Sequence, residues 1–168
     1  MNQHVVIMGV AGCGKSSLGA AVAQSRQLAL IEGDAHHSAL NLEKMRQGNA
    51  LSDADRSGWL RALCEQLRAH SRGAVLTCSA LKRAYRDRLR EACPGLRFVF
   101  LDIDRDHALA RVEARTPRHF FSASLVDSQF ATLEPPLDEP AVLRLDARLP
   151  LAQLQHDVVA WLNDLEHA

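Results

Sequence analysis

Residues Gly9-Val10-Ala11-Gly12-Cys13-Gly14-Lys15-Ser16 satisfy the pattern GxxxxGK[ST] at every fixed position. The flanking sequence constrains the fold as strongly as the motif does. His4-Val5-Val6-Ile7-Met8 is a short apolar run that reads as a buried strand, and Lys15 to Ser25 carries Leu18, Ala21 and Val22 at helical spacing. A glycine loop between strand and helix turns successive backbone N–H groups inward, toward phosphate oxygens. The helix N-terminus adds partial positive charge. In such a loop Gly9, Gly12, Cys13, Gly14, Lys15, Ser16 and Ser17 cradle a nucleoside triphosphate such as ATP, Lys15 reaches the β- and γ-phosphates, and Ser16 ligates Mg²⁺. GTPases, motor ATPases and small-molecule kinases all use this loop, so the rest of the chain decides among them.

Further strands are expected at Leu28 to Ile31, Ala74 to Cys78, Leu96 to Leu101 and Val142 to Leu145. Helices are expected between them: 40–47, a longer one after Ser52 with Trp59, Leu60, Leu63 and Leu67 on one face, one through Tyr85 and Leu89, 106–115, 122–133, and a closing one over 151–165. Ser52 with Asp55 three residues on is an N-terminal cap signature. Strands alternating with helices imply an α/β fold: three layers, a central parallel sheet of about five strands with helices on both faces, and a small lid near 115–133. The 168 residues suit one domain spanning 1–168.

Basic and acidic residues balance at 20 each, which disfavours a nucleic-acid partner or an anionic membrane surface. No apolar run approaches membrane-spanning length. The four cysteines (Cys13, Cys64, Cys78, Cys93) form no CxxC pair and no zinc spacing. Cys64 and Cys78 lie in apolar stretches and read as core residues. With no basic-then-apolar leader before the glycine loop, a cytoplasmic protein with reduced thiols is expected.

In a parallel sheet, Gly33-Asp34 falls at the carboxyl edge, beside the phosphate loop. A carboxylate there can take or orient the proton of an acceptor hydroxyl; equally, Asp34 can cap a helix. Asp53 and Asp55 suit a helix N-terminus, whereas Arg56 opposes the dipole and so points to a ligand. Asp55-Arg56-Ser57-Gly58 matches the DxxG string of GTPases, but no strand precedes it and no NKxD string occurs. Ser79 to Arg83 follows the third strand, with Tyr85, Arg86, Asp87 and Arg88 extending a basic cluster. Each of these is either a solvated helix residue or part of an anion site at the same edge.

Together these residues resemble the gluconokinases. The resemblance rests on Gly33-Asp34-x-x-His37, Asn41, Lys44-Met45, Gly48, Leu51, Asp53-x-Asp55-Arg56-x-x-Trp59-Leu60, Cys78-Ser79-Ala80-Leu81-Lys82, Tyr85-Arg86-Asp87-x-Leu89-Arg90, His119-Phe120 and Gln129-Phe130-x-x-Leu133-Glu134. It runs from Val5 to about Glu134. The chain departs from the family at Ser38, Ala50 and Gly58, where proline is usual, and at Arg118, where glycine is usual. The resemblance implies transfer of the γ-phosphate of ATP to the 6-hydroxyl of D-gluconate, with Mg²⁺ and in a homodimer. It makes Asp34 the residue that receives the hydroxyl proton. Arg56, Lys82 and Arg86 become candidates for the gluconate carboxylate, and His37, His119 and Gln129 become substrate-side residues. From the layout of related small kinases it also implies a lid arginine, Arg115 or Arg118, on the migrating phosphoryl group, and Arg111 stacked on adenine. A shikimate-kinase-like enzyme, a nucleotide-dependent switch and a nucleic-acid-dependent ATPase are the rivals.

Overall fold

A computed structural model describes residues 3–115 and 123–167. Its centre is a five-stranded sheet of β1 (Val5–Met8), β2 (Ala29–Glu32), β3 (Ala74–Thr77), β4 (Arg97–Asp102) and β5 (Val142–Asp146). The spatial order is β2-β3-β1-β4-β5 and every pairing is parallel. The helices are α1 (Lys15–Arg26), α2 (Ala39–Arg46), α3 (Asp53–Ala69), α4 (Arg83–Ala92), α5 (Arg105–Arg115), α6 (Ala123–Thr132) and α7 (Leu151–His167). A 3₁₀ turn, Gly33–His36, follows β2. The expected alternation is what forms, with element ends within a few residues of those read from the pattern.

Two apolar layers sandwich the sheet. On one face Val5, Ile7, Val75, Val99 and Leu101 pack against Leu18 and Val22 of α1 and Leu154, Val158 and Leu162 of α7. On the other, Val6, Met8, Leu76, Phe98 and Phe100 meet Trp59, Leu60, Leu63 and Leu67 of α3 and Tyr85 and Leu89 of α4. The alternation along β1 assigns neighbouring residues to opposite layers, as a strand covered on both sides requires. All four cysteines are free and buried. Among the described residues no helix is long and apolar enough to cross a membrane.

Local chemistry sets the element ends. Ser52 accepts from the Asp55 N–H at 3.1 Å while Asp55 accepts from the Ser52 N–H at 2.9 Å, a reciprocal cap that starts α3. Ser38, one of the departures from the family's usual proline, caps α2 by accepting from the Asn41 N–H at 3.1 Å. The departure therefore exchanges a rigid turn residue for a side-chain cap.

Gly58 lies on the exposed side of α3, and a Cβ there would meet nothing within 4 Å. Glycine in a helix interior costs roughly 0.5–1 kcal/mol relative to alanine. Gly58→Ala should raise stability by about that amount, a rise in Tm of roughly 2–4 °C per kcal/mol for a chain of this size. Calorimetric melting checks it; an unchanged or lower Tm would show that α3 is not helical through this position.

Candidate active site

The phosphate loop joins β1 to α1 at the carboxyl edge of the sheet. Gly14 is the N-cap of α1 at φ 95°, a left-handed conformation that costs glycine nothing. Lys15 folds back over the loop, its Nζ donating to the carbonyls of Gly9 at 3.0 Å and Val10 at 3.1 Å. Cys13 is buried under the loop, while Ser16 and Ser17 are exposed at the start of α1.

Beside the loop is a cavity of about 230 Å³. It is lined by Gly12, Gly14, Lys15 and Ser16 of the phosphate loop together with Asp34, His37, Arg56, Trp59 and Ser79. Val112 and Arg115 of α5, Leu125, Ser128 and Gln129 of α6, and Met45, Ala50 and Leu51 complete it. The turns after β1, β2 and β3 and the first turns of α1 and α3 thus converge on one space.

Asp34 reaches that space because of Gly33. A Cβ on Gly33 would sit 2.2 Å from the Thr77 carbonyl oxygen, so only glycine lets this turn pack against β3. Glu32 occupies the N-cap position of the 3₁₀ turn without a side-chain capping bond, and α2 is capped by the Ser38 side chain. Asp34 makes no side-chain capping bond, and among the described residues its carboxylate has no hydrogen-bond partner. The Trp59 Nε1–H donates to the Gly33 carbonyl at 2.8 Å, and the Trp59 ring stacks on His37 at 4.4 Å with 12° between planes. Trp59 therefore fixes both residues that flank the Asp34 turn.

His37 is held neutral. Burial pushes its imidazole down, and of the neighbouring charges Asp34 raises it while Arg56 lowers it; the result is a pKa lowered to about 4. The Asn41 side-chain amide reaches the His37 Nδ1 at 3.5 Å and donates to the Asp55 carbonyl at 2.9 Å. With Nδ1 accepting, the proton is on Nε2. Cys78, behind Asp34, is pushed up to about 12 by burial and stays a thiol.

Arg56 faces the cavity with its cation unspent. Its Nη1 lies 3.3 Å from the Tyr85 hydroxyl and its guanidinium 5.6 Å from the Tyr85 ring centroid. Among the described residues it forms no ion pair. Asp55 pairs instead with Lys44 at 2.7 Å, and Asp53 with Lys82 at 2.9 Å and with the Tyr85 hydroxyl.

Several residues singled out in the sequence are used differently. Arg86 does not reach the cavity: its side chain is fully buried and paired with Glu139, itself 4% exposed. Its position on α4 turns it inward, under the Ser79–Lys82 segment, so it is not a carboxylate ligand. Lys82 is held by Asp53 and does not line the cavity. Arg111 lies behind the loop, donating to the Ala147 carbonyl at 3.0 Å and reaching those of Gly12 and Cys13 at 3.3 and 3.4 Å. Gln129 lines the cavity, but its Oε1 accepts from the Ala11 N–H at 2.7 Å, so it ties α6 to the phosphate loop. Arg115 lines the cavity from the end of α5. Arg118 and His119 lie outside the described residues, as does the 116–122 part of the expected lid.

One residue of the site was not foreseen. The Ser16 hydroxyl donates to Glu32 Oε2 at 3.2 Å, and the Thr77 hydroxyl donates to the same oxygen at 2.5 Å. A strand-end carboxylate one residue before Gly33-Asp34 was the available signal. Glu32 and Ser16 are hard oxygen donors side by side, the chemistry Mg²⁺ selects. Among the described residues no three His, Cys, Asp or Glu side chains converge as a metal cage. Mg²⁺ needs none, because it keeps waters and substrate phosphates as ligands.

Ala80 has φ 46°, unusual for a residue with a Cβ, and immediately follows Ser79 in the cavity wall. Such a conformation costs on the order of 1–2 kcal/mol, so surrounding contacts must hold it.

A phosphate-binding glycine loop on a parallel sheet, sharing a cavity with an aspartate and an arginine that no ion pair among the described residues engages, fits a P-loop kinase of small molecules. Comparisons with known proteins agree. The AAA domain family matches residues 5–136. The chain is 43% identical over 155 residues to the thermoresistant gluconokinase of Escherichia coli (strain K12), covering 89% of this chain and 88% of that one. It is 45% identical over 148 residues to the gluconokinase of Gluconobacter oxydans (strain 621H), covering 85% and 82%. The crystal structure of a gluconokinase from Sinorhizobium meliloti 1021 superposes with a TM-score of 0.89 at 44% identity, over 97% of this chain and 93% of that one. This chain belongs to the gluconokinase family and is an ATP-dependent kinase.

The neutral state of His37 makes a prediction. Its folded pKa is about 4, against about 6.5 unfolded. Between those values the unfolded chain binds the extra proton, so this residue makes stability fall as pH drops from 6.5 toward 4. His37→Asn should melt with a shallower loss of Tm across that window than the unaltered protein. Parallel slopes would overturn the assignment of a buried neutral imidazole.

Proposed function

We propose that this chain phosphorylates D-gluconate on its 6-hydroxyl, using the residues of this cavity in the following roles. The observation that carries the reading is Asp34, a carboxylate with no hydrogen-bond partner among the described residues, lining the same cavity as Lys15 and Arg56. A hydroxyl placed between Asp34 and the loop has its proton acceptor on one side and the γ-phosphate on the other.

The triphosphate of ATP lies on the loop N–H groups and the N-terminus of α1. Lys15 exchanges its bonds to the Gly9 and Val10 carbonyls for phosphate oxygens. Ser16 and Glu32 would hold Mg²⁺, which when bound neutralises charge on the phosphates. The Arg56 guanidinium pairs with the gluconate carboxylate, and the His37 Nε2–H donates to a hydroxyl of the chain. Asp34 takes the 6-hydroxyl proton as the O6–phosphorus bond forms and the bond from phosphorus to the β-phosphate oxygen breaks, releasing ADP. Arg115, or Arg118, stabilises charge on the phosphoryl group in flight. Closure of the lid around 115–133 excludes water, and adenine stacks on Arg111 from the side of its guanidinium not engaged with the loop carbonyls. The same reading includes one domain, a homodimer and a cytoplasmic location.

Two measurements test it. Coupled ADP release with gluconate, its epimers and shikimate should give turnover highest with gluconate; a preference for shikimate would overturn the acceptor. Asp34→Asn should lower kcat by roughly 10²- to 10⁴-fold with ATP affinity changed less than a few-fold. Near-normal turnover would remove Asp34 from the chemistry.

A further inference from the structure

Arg86 is wholly buried, yet it sits on the helix that follows the acceptor-side segment Ser79–Lys82. Its guanidinium spends every arm on that segment and its support. Nη1 donates to the Ala80 carbonyl at 2.7 Å and the Leu81 carbonyl at 3.2 Å. Nη2 donates to the Glu134 carbonyl at 2.8 Å and to Glu139 Oε2 at 2.5 Å, and Nε donates to both Glu139 oxygens at 3.0 and 3.1 Å. Glu134 closes the frame: its N–H donates to the Leu81 carbonyl at 2.8 Å, and its carboxylate accepts from the Arg83 N–H at 2.8 Å. Arg90 shares the load on Glu139 at 2.8 Å.

The residue clamped most directly is Ala80, the one with φ 46°. Left-handed backbone at a residue with a Cβ persists only where its surroundings over-determine it, and such strain gathers at ligand sites. Ser79, next to it, lines the cavity with Asp34 and Arg56. A relaxed Ala80 would rotate the peptide that carries Ser79.

We propose that Arg86 is a positioning residue: by clamping the Ala80 carbonyl it holds the left-handed turn that aims Ser79 into the acceptor cavity, and so sets acceptor affinity without touching the acceptor. This rests on the reading of the cavity as the gluconate site. Arg86 acts on the acceptor side alone, since none of its bonds reaches the phosphate loop.

The test uses Arg86→Met combined with Glu139→Leu, which removes both charges of the pair and leaves neither buried alone. Hydrogen exchange of the peptide spanning residues 79–83 should speed up by tenfold or more, with the phosphate loop unchanged. The KM for gluconate should rise at least tenfold while the KM for ATP stays within twofold. Adding Ala80→Gly, which makes the left-handed turn intrinsically accessible, should recover at least a threefold part of that rise. A purely structural role would instead lower kcat and Tm with the gluconate KM unchanged, and that result overturns the proposal. If the double variant does not fold, Arg86→Lys carries the test: an ammonium has three donors and no planar fork, too few to serve the Ala80, Leu81 and Glu134 carbonyls and both Glu139 oxygens at once. A gluconate KM raised threefold or more supports the clamp; an unchanged KM with unchanged exchange at 79–83 overturns it. Should the unaltered protein turn over a different acceptor, the exchange measurement still decides on Arg86, and the KM is read with that acceptor.

Discussion

Five strands running in one direction put every strand-to-helix turn of this protein at the same edge. The chemistry depends on that constraint more than on any single residue. The turn after β1 carries the phosphate loop, the turn after β2 carries Asp34, and the turn after β3 carries Ser79. They are far apart in sequence, and parallel pairing in register brings them together: Ile7 opposes Thr77, and Glu32 opposes Thr77 from the other side. Thr77 is therefore flanked by the strand ends that launch the phosphate loop and the Asp34 turn. Its hydroxyl binds Glu32, which in turn binds Ser16. The two halves of the site are joined by this short chain of side chains before any ligand arrives.

The same edge is electrostatically uneven although the whole chain is neutral. Most of its charges are already matched: Asp55 with Lys44, Asp53 with Lys82, Glu139 with Arg86 and Arg90. What faces the cavity is the remainder, chiefly Lys15 on its own loop carbonyls, Arg56 against a neutral phenol, and Asp34. An anionic acceptor and a triphosphate would meet cations that no carboxylate among the described residues has claimed, with one carboxylate placed to receive a proton. Overall charge predicts none of this, because the site is defined by which partners are left over after internal pairing.

That explains what the sequence could reveal. The phosphate loop was legible because its function is a local backbone shape, fixed by glycine spacing and by the strand and helix around it. Asp34 was legible as a residue at the sheet edge, though sequence left its capping role open; the side chain that caps here is Ser38, at the start of α2, and Asp34 makes no capping bond. Arg86 was misread because a helix residue in a basic cluster looks the same whether it faces solvent, ligand or core. Its partner Glu139 lies 53 residues on, beyond α6, and no spacing rule links them. Glu32 was passed over because its meaning comes from Ser16, 16 residues earlier and adjacent only across the fold. Gln129 was given a ligand role, whereas its amide oxygen serves the Ala11 N–H.

The buried Arg86–Glu139 pair is hard to justify by stability alone. Desolvating two charges costs several kcal/mol per ion, and their attraction commonly only offsets that cost, so apolar residues of similar volume often do as well. An apolar replacement, however, would leave the carbonyls of Ala80 and Glu134 facing a donor-free interior. A buried carbonyl without a partner costs on the order of 1–3 kcal/mol. Arginine suits the position because one planar group offers five N–H donors in a fixed fork, enough for three carbonyls and a carboxylate at once. Glu139 then serves to orient that cation and balance its charge: burial alone would raise its carboxyl, but the hydrogen bonds from Arg86 and Arg90 outweigh burial and hold it below the ordinary range. The pair is thus best understood as a device for satisfying an irregular backbone, and the irregular backbone is there because the turn after β3 must present Ser79 to the cavity.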